Sequence, residues 1–93
     1  MNLINDMDYK ITFSPSADKY LKKLSKRNKK DLKLLKDVIY NIHEKHHKAM
    51  EGKYKGFNRV KAGKYGVIFS IDKNKKPVII NIIEIGKRSN VYK

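Results

Sequence analysis

Arginine is rare in this chain, and its placement is uneven. Of 23 basic side chains, only Arg27, Arg59 and Arg88 are arginine. Arginine's planar fork grips a phosphate with two parallel hydrogen bonds, which lysine's point charge cannot do. Arg59 lies in the run Gly56-Phe57-Asn58-Arg59-Val60-Lys61-Ala62-Gly63-Lys64-Tyr65-Gly66, and Arg88 in the closing Gly86-Lys87-Arg88-Ser89-Asn90-Val91-Tyr92-Lys93. If the first run is a strand, Arg59 and Lys61 project from one face, roughly 7 Å apart along the chain. That interval fits successive backbone phosphates. Lys53 and Lys55 extend the basic track, and Lys64 and Lys87 complete the set of candidate RNA-binding cations. Tyr54, Phe57 or Tyr65 offers a face for stacking an unpaired base. The plainer alternative stays open: Arg59 and Lys61 also fit an ordinary solvated strand face, and Tyr65 shares the parity of the core candidates Val67 and Phe69.

These side chains need elements to hold them, and the apolar pattern supplies a set. Every Leu lies at or before Leu35, whereas nearly all Ile lie at or after Ile39. Helices early and strands late follow, because β-branched side chains suit a pleated surface. Tyr9, Ile11 and Phe13 alternate with polar residues as a half-buried strand. Ser14-Pro15 reads as an N-cap with proline at the first helical position. Ala17, Tyr20, Leu21 and Leu24 form one helical stripe. After the polar break Arg27-Asn28-Lys29-Lys30, a helix from about Asp31 carries Leu32, Leu35, Val38, Ile39 and Ile42. The short connection predicts an antiparallel hairpin. Beyond Gly52 the period becomes two, with Tyr65, Val67, Phe69 and Ile71 on one face. The turn Asp72-Lys73-Asn74-Lys75-Lys76-Pro77 leads into Val78 to Ile85, whose near-continuous apolar run predicts a central strand. The expected fold is α+β: a strand, a helical hairpin, then a three-strand antiparallel meander with the helices on one face. Arg88 and Tyr92 then emerge together just past the central strand.

Ninety-three residues make one domain, 1–93, in which residues before Met7 fit no element and Met7 is a candidate start. Without cysteine, no disulfide or thiolate zinc site can form. No apolar run approaches the roughly 20 residues of a membrane span, and no signal peptide opens the chain, so a cytoplasmic location is expected. The formal net charge is +14, with only three Glu to pair the lysines. Such an imbalance repels itself unless it meets a polyanion, and nucleic acid or a ribonucleoprotein surface is the expected partner.

The chain resembles the RelE/ParE superfamily of toxins from prokaryotic toxin–antitoxin pairs, over roughly Asp8 to Tyr92. The early strand entering a Ser-Pro helix, the Leu-striped hairpin, the Gly-Phe-x-Arg-x-Lys-x-Gly-x-Tyr run and the closing Gly-Lys-Arg-x-x-Val-Tyr carry the resemblance. It implies a toxin that cuts mRNA in the ribosomal A site by attack of a 2′-hydroxyl on the adjacent phosphate, with no metal. It implies catalytic roles for Arg59, Lys61, Arg88 and Tyr92, the cations holding phosphate and Tyr92 assisting proton transfer. It also implies an antitoxin partner, whose acidic or amphipathic segment wraps the toxin, and a possible heterotetramer. Another branch of the fold inhibits DNA gyrase and lacks the nuclease set, and a non-catalytic RNA-binding module is a further alternative. One departure stands out: the position after Tyr65, where active nucleases of the family commonly place an Arg, is Gly66.

His43, His46 and His47 end the long helix, but obvious carboxylate or thiolate partners for zinc are missing. Interaction with the helix dipole, or simple solvation, accounts for them better. Neither a cofactor nor a metal is expected. Paired carboxylates, Ser-His-Asp sets and phosphate-cradling glycine loops are absent from the sequence.

Overall fold

A computed structural model describes residues 9–42 and 48–91. The segment before Met7, the three histidines and Tyr92 lie outside these residues. The element order is β1 (Tyr9–Phe13), α1 (Pro15–Arg27), α2 (Lys29–Tyr40), β2 (Lys48–Ala49), a 3-10 turn (Gly52–Tyr54), β3 (Asn58–Ala62), β4 (Tyr65–Asp72), β5 (Val78–Lys87) and α3 (Arg88–Val91). The strands form one sheet in the order β1-β5-β4-β3-β2. β1 runs parallel to β5, and every other pair is antiparallel. The α+β architecture and the three-strand meander expected from the periodicity are both present, with the helices packed on one face.

Ser14 makes the transition from strand to helix. Its backbone N–H donates to Ile82 O at 2.9 Å and its hydroxyl donates to Ile83 O at 2.6 Å, while Oγ accepts from Ala17 N at 3.0 Å. One side chain thus ends the β1–β5 ladder and caps α1. Asn28 does similar double duty between the helices. Its N–H donates to Leu24 O, closing α1, and its Oδ1 accepts from Asp31 N, opening α2. The expected four-residue break is therefore one residue, and α2 starts at Lys29 rather than Asp31. An Asn able to bond both helix ends needs no longer linker.

The core lies between this helix pair and the sheet. Ala17, Leu35, Val38 and Ile39 meet Val60, Ala62, Tyr65, Val67, Phe69, Ile80, Ile82 and Ile85. Ile42 belongs to this cluster although it lies beyond the end of α2. At the β3–β4 hairpin, two residues connect the strands, and Gly63 takes φ +60, a conformation that costs other residues strain. A Cβ there would also stand 2.9 Å from Leu34 Cδ2.

Two features depart from the expected pattern. β2 is a fifth strand, too short for periodicity to reveal, and it pairs Lys48 with Arg59. The second departure is a bulge in β5. Ile68 pairs with Glu84 but Phe69 pairs with Ile82, so Ile83 is an extra residue. Strict alternation from Val78, Ile80 and Ile82 would send Glu84 into the core. The bulge resets the parity, sending Ile85 inward and Glu84 to the opposite face.

Candidate functional site

The helix-free face of the sheet is built in rows of paired residues whose side chains point the same way. Lys48, Arg59, Ile68 and Glu84 form one row across β2, β3, β4 and β5. Lys61, Gly66 and Gly86 form the next. Farther along, Thr12 bonds Asn81, and Asn81 Nδ2 donates to Ser70 Oγ at 3.3 Å, a neutral polar ladder. The cations thus gather at the β2–β3 side of one face. Lys48 directly opposite Arg59 is a like-charge pair that repels. An anion lying across the two removes that penalty.

Residues 52–57 fold over the same face. Tyr54 donates its hydroxyl proton to Glu84 Oε2 at 2.8 Å, and this bond, ahead of burial, raises the Tyr54 pKa above its ordinary value. Tyr54 and Phe57 stack at a tilt, with ring centroids 6.3 Å apart, and the Lys53 ammonium lies 5.1 Å from the Tyr54 ring. Ile68 is fully buried although it faces away from the helices, as a covering of its row by this turn requires. Lys53 and Lys55 are exposed on the turn, so both belong to the same basic face. Neither Tyr54 nor Phe57 is fully exposed, and Tyr54 is fixed by its carboxylate partner.

Lys64 and Lys87 go elsewhere. Lys64 Nζ lies 3.5 Å from Asp31 Oδ2 on α2 and 5.5 Å from the Tyr65 ring centroid. Lys87 pairs with Tyr65, a helix-facing residue, and is exposed at the end of the sheet. Arg88 begins α3 there, its N–H donating to Lys64 O at 2.9 Å. The predicted cations therefore divide between two places. Arg59, Lys61, Lys53 and Lys55 share the open face with Lys48, whereas Lys64, Lys87 and Arg88 gather at the end of the β3–β4 hairpin.

Tyr65 is not available for base stacking. Its ring is buried, edge-on to Tyr20 with centroids 6.4 Å apart, and its hydroxyl donates to Asp31 Oδ2 at 2.6 Å. Asn28 Nδ2 donates to the same oxygen at 3.0 Å. The Tyr65 bond, opposed by burial and supported by the charge of Lys64, holds Asp31 below its ordinary carboxylate value. The same bond, and then burial, push Tyr65 up to about 12. This group ties the helical hairpin to the β3–β4 hairpin. A phenol pKa raised from 10.0 to about 12 adds stability that is complete below pH 10 and is lost as pH climbs through 12. Tyr65→Phe should therefore lower the urea midpoint at neutral pH and flatten its decline between pH 10 and 12. The depressed Asp31 acts oppositely: its contribution is complete above 3.8 and is lost as pH falls below that. Equal alkaline declines in Tyr65→Phe and the wild type would refute the clamp.

Sequence comparison places the chain among the small toxins that pair with an antitoxin. The sequence profile of the ParE toxin of the type II toxin–antitoxin system parDE matches residues 11–92, and the chain belongs to this family. It is 37% identical over 90 residues to the candidate toxin RelE4 of Methanocaldococcus jannaschii, covering 91% of this chain and 92% of that protein. Among solved structures, the RelBE2 toxin–antitoxin complex of Mycobacterium tuberculosis matches with a TM-score of 0.72 at 18% identity, over 92% of this chain and 98% of that one. The YoeB–YefM complex of Staphylococcus aureus matches at 0.69 and 19%, over 87% and 98%. At these identities the structures establish the fold. Among the described residues, no helix is long and apolar enough to cross a membrane and no cluster of side chains has the makings of a metal site.

Lys48 and Glu84 join the basic face without having been singled out in the sequence. Lys48 gave no periodic signal in a two-residue strand. Glu84 did give one: it is the only charged residue between Val78 and Ile85.

Proposed function

We propose that this toxin acts in the cytoplasm as an endoribonuclease, cutting mRNA on the ribosome by attack of a 2′-hydroxyl on the adjacent phosphate. The observation that carries this reading is the group of cations on the helix-free face, where Lys48 and Arg59 share one row and Lys61 lies in the next. Extra negative charge on a phosphorane is stabilised by donors already in place, and such a group supplies them without a metal. Arg88, at the hairpin end, holds a neighbouring phosphate, and Tyr92 assists proton transfer. Lys53, Lys55, Lys64 and Lys87 add length to the RNA track.

The partner is an antitoxin whose acidic or amphipathic segment covers the basic face, as the net charge of +14 favours. A heterotetramer of the kind named for the Staphylococcus aureus YoeB–YefM pair is the proposed assembly. Mapping the 5′ ends of a message held on ribosomes tests the activity: the toxin should create new ends at the A-site codon. If none appears, the nuclease reading fails.

The match to the ParE profile supports a second reading, a gyrase-directed toxin without nuclease activity. Gyrase supercoiling measured with added toxin separates the two, since an mRNA nuclease leaves that reaction untouched.

A further inference from the structure

Glu84 is a carboxylate in a row whose other members are two cations and Ile68. Three independent observations put it there. The β5 bulge at Ile83 turns it out of the core, at the cost of a disrupted ladder. Its row also contains Arg59 and Lys48, with Ile68 between. At roughly 4.8 Å between strands, the Glu84 and Arg59 backbones stand about 10 Å apart, on either side of the turn that covers Ile68. Finally, Tyr54 holds the carboxylate by donating to Oε2. A carboxylate accepts more than one donor, so this bond orients the group without exhausting it. Glu84 also lines a shallow depression of ≈ 380 Å³ with Tyr20 of α1, Ile85, Gly86, Lys87 and Asn90, at the sheet edge beyond the point where β1 stops pairing with β5. It is therefore open to a ligand on the β5 side.

We propose that Glu84 is the proton acceptor for the attacking 2′-hydroxyl, with Tyr54 as its positioning residue. This rests on the nuclease reading above and supplies what cations alone cannot, a base near the nucleophile. In the step, the 2′-O–H bond breaks and its proton passes to Glu84, giving the neutral acid. The 2′ oxygen forms a bond to phosphorus, the P–O5′ bond breaks, and its electron pair stays on the 5′ oxygen. The products are a 2′,3′-cyclic phosphate and a 5′-hydroxyl, the latter taking its proton from water, while Glu84 returns the one it accepted to solvent. Among the described residues, Arg59, Lys48 and Lys61 on the open face, Lys53 and Tyr54 on the turn, Lys87 on β5 and Tyr20 on α1 are the charged and titratable groups around Glu84.

Glu84→Gln separates this role from a structural one, because glutamine still accepts the Tyr54 hydrogen bond but cannot serve as the base. Single-turnover cutting of a ribosome-held message should fall by about 10²- to 10⁴-fold. The toxin concentration giving half-maximal rate should stay unchanged, and the rise in rate from acidic to neutral pH should vanish. Glu84→Asp should restore part of the rate, and Tyr54→Phe should lower the rate without removing the pH dependence. Unfolding curves in urea verify that each variant is folded. Wild-type rate and pH profile in folded Glu84→Gln would overturn the assignment. No cutting by the wild type would instead remove the nuclease reading, and this role with it.

Discussion

Replacing Phe69 with alanine is expected to cost about 3–5 kcal/mol of stability, the range for emptying a fully buried aromatic site. Phe69 has no exposed surface and lies in the central strand β4, paired to Asn58 on one side and Ile82 on the other. Its site can collapse little, because the bulge fixes the backbone next to it and α1 and α2 cover the same face. A chain of this length is held by about 5–14 kcal/mol in all, at 0.05–0.15 kcal/mol per residue. The variant should therefore show a large drop in urea midpoint with an unchanged slope. A loss below about 1 kcal/mol, the ordinary cost of a point mutation, would show that the ring is not a packed element of the core.

The second large effect concerns RNA. Arg59→Ala combined with Lys61→Ala should reduce cutting at least 10²- to 10³-fold, the usual consequence of removing a group that stabilises charge in the transition state. The salt dependence of RNA binding should also weaken, by about 0.7 for each single-strand phosphate that is no longer neutralised and so by about 1.4 for the pair. Lys22→Ala with Lys26→Ala removes the same net charge from α1, where Lys22 is already paired with Asp18 at 3.0 Å. If this control variant cuts as poorly as the first, bulk charge and not the β3 row does the work. If neither variant changes cutting, the open face is not the RNA surface.

The main elements follow from apolar spacing because burial enforces it. The alternation of Val67, Phe69 and Ile71, the Ser14-Pro15 helix start and the interior position of β5 all express burial against the helices or between strands. The site depends on events that periodicity does not record. One extra residue, Ile83, reverses which face Glu84 occupies, and no residue type in Ile82-Ile83-Glu84-Ile85 declares it. Lys48 and Arg59 become neighbours through a two-residue strand. Lys64 lies between two site segments in sequence, yet pairs with Asp31 because the tight turn at Gly63 brings it to α2. Arg59 and Lys61 share a face as strand parity requires, whereas Arg88 sits with Lys64 and Lys87 at the hairpin end. Local alternation reaches two residues along a strand. It does not say which strands lie abreast.

The parallel pairing of β1 with β5 sets an order of events during the toxin's own manufacture. Ser14 closes its bonds to Ile82 and Ile83, the latter 69 residues away along the chain. Translation at 5–20 residues per second leaves the first strand waiting roughly 3–14 s for its partner. Until β5 emerges, α1 lacks the sheet it packs on, and the row from Lys48 to Glu84 lacks its last member. A ribosome making this protein therefore finishes nearly the whole message before the product can assemble its sheet. A chain broken off before β5 would lack the strand that joins β1 to β4.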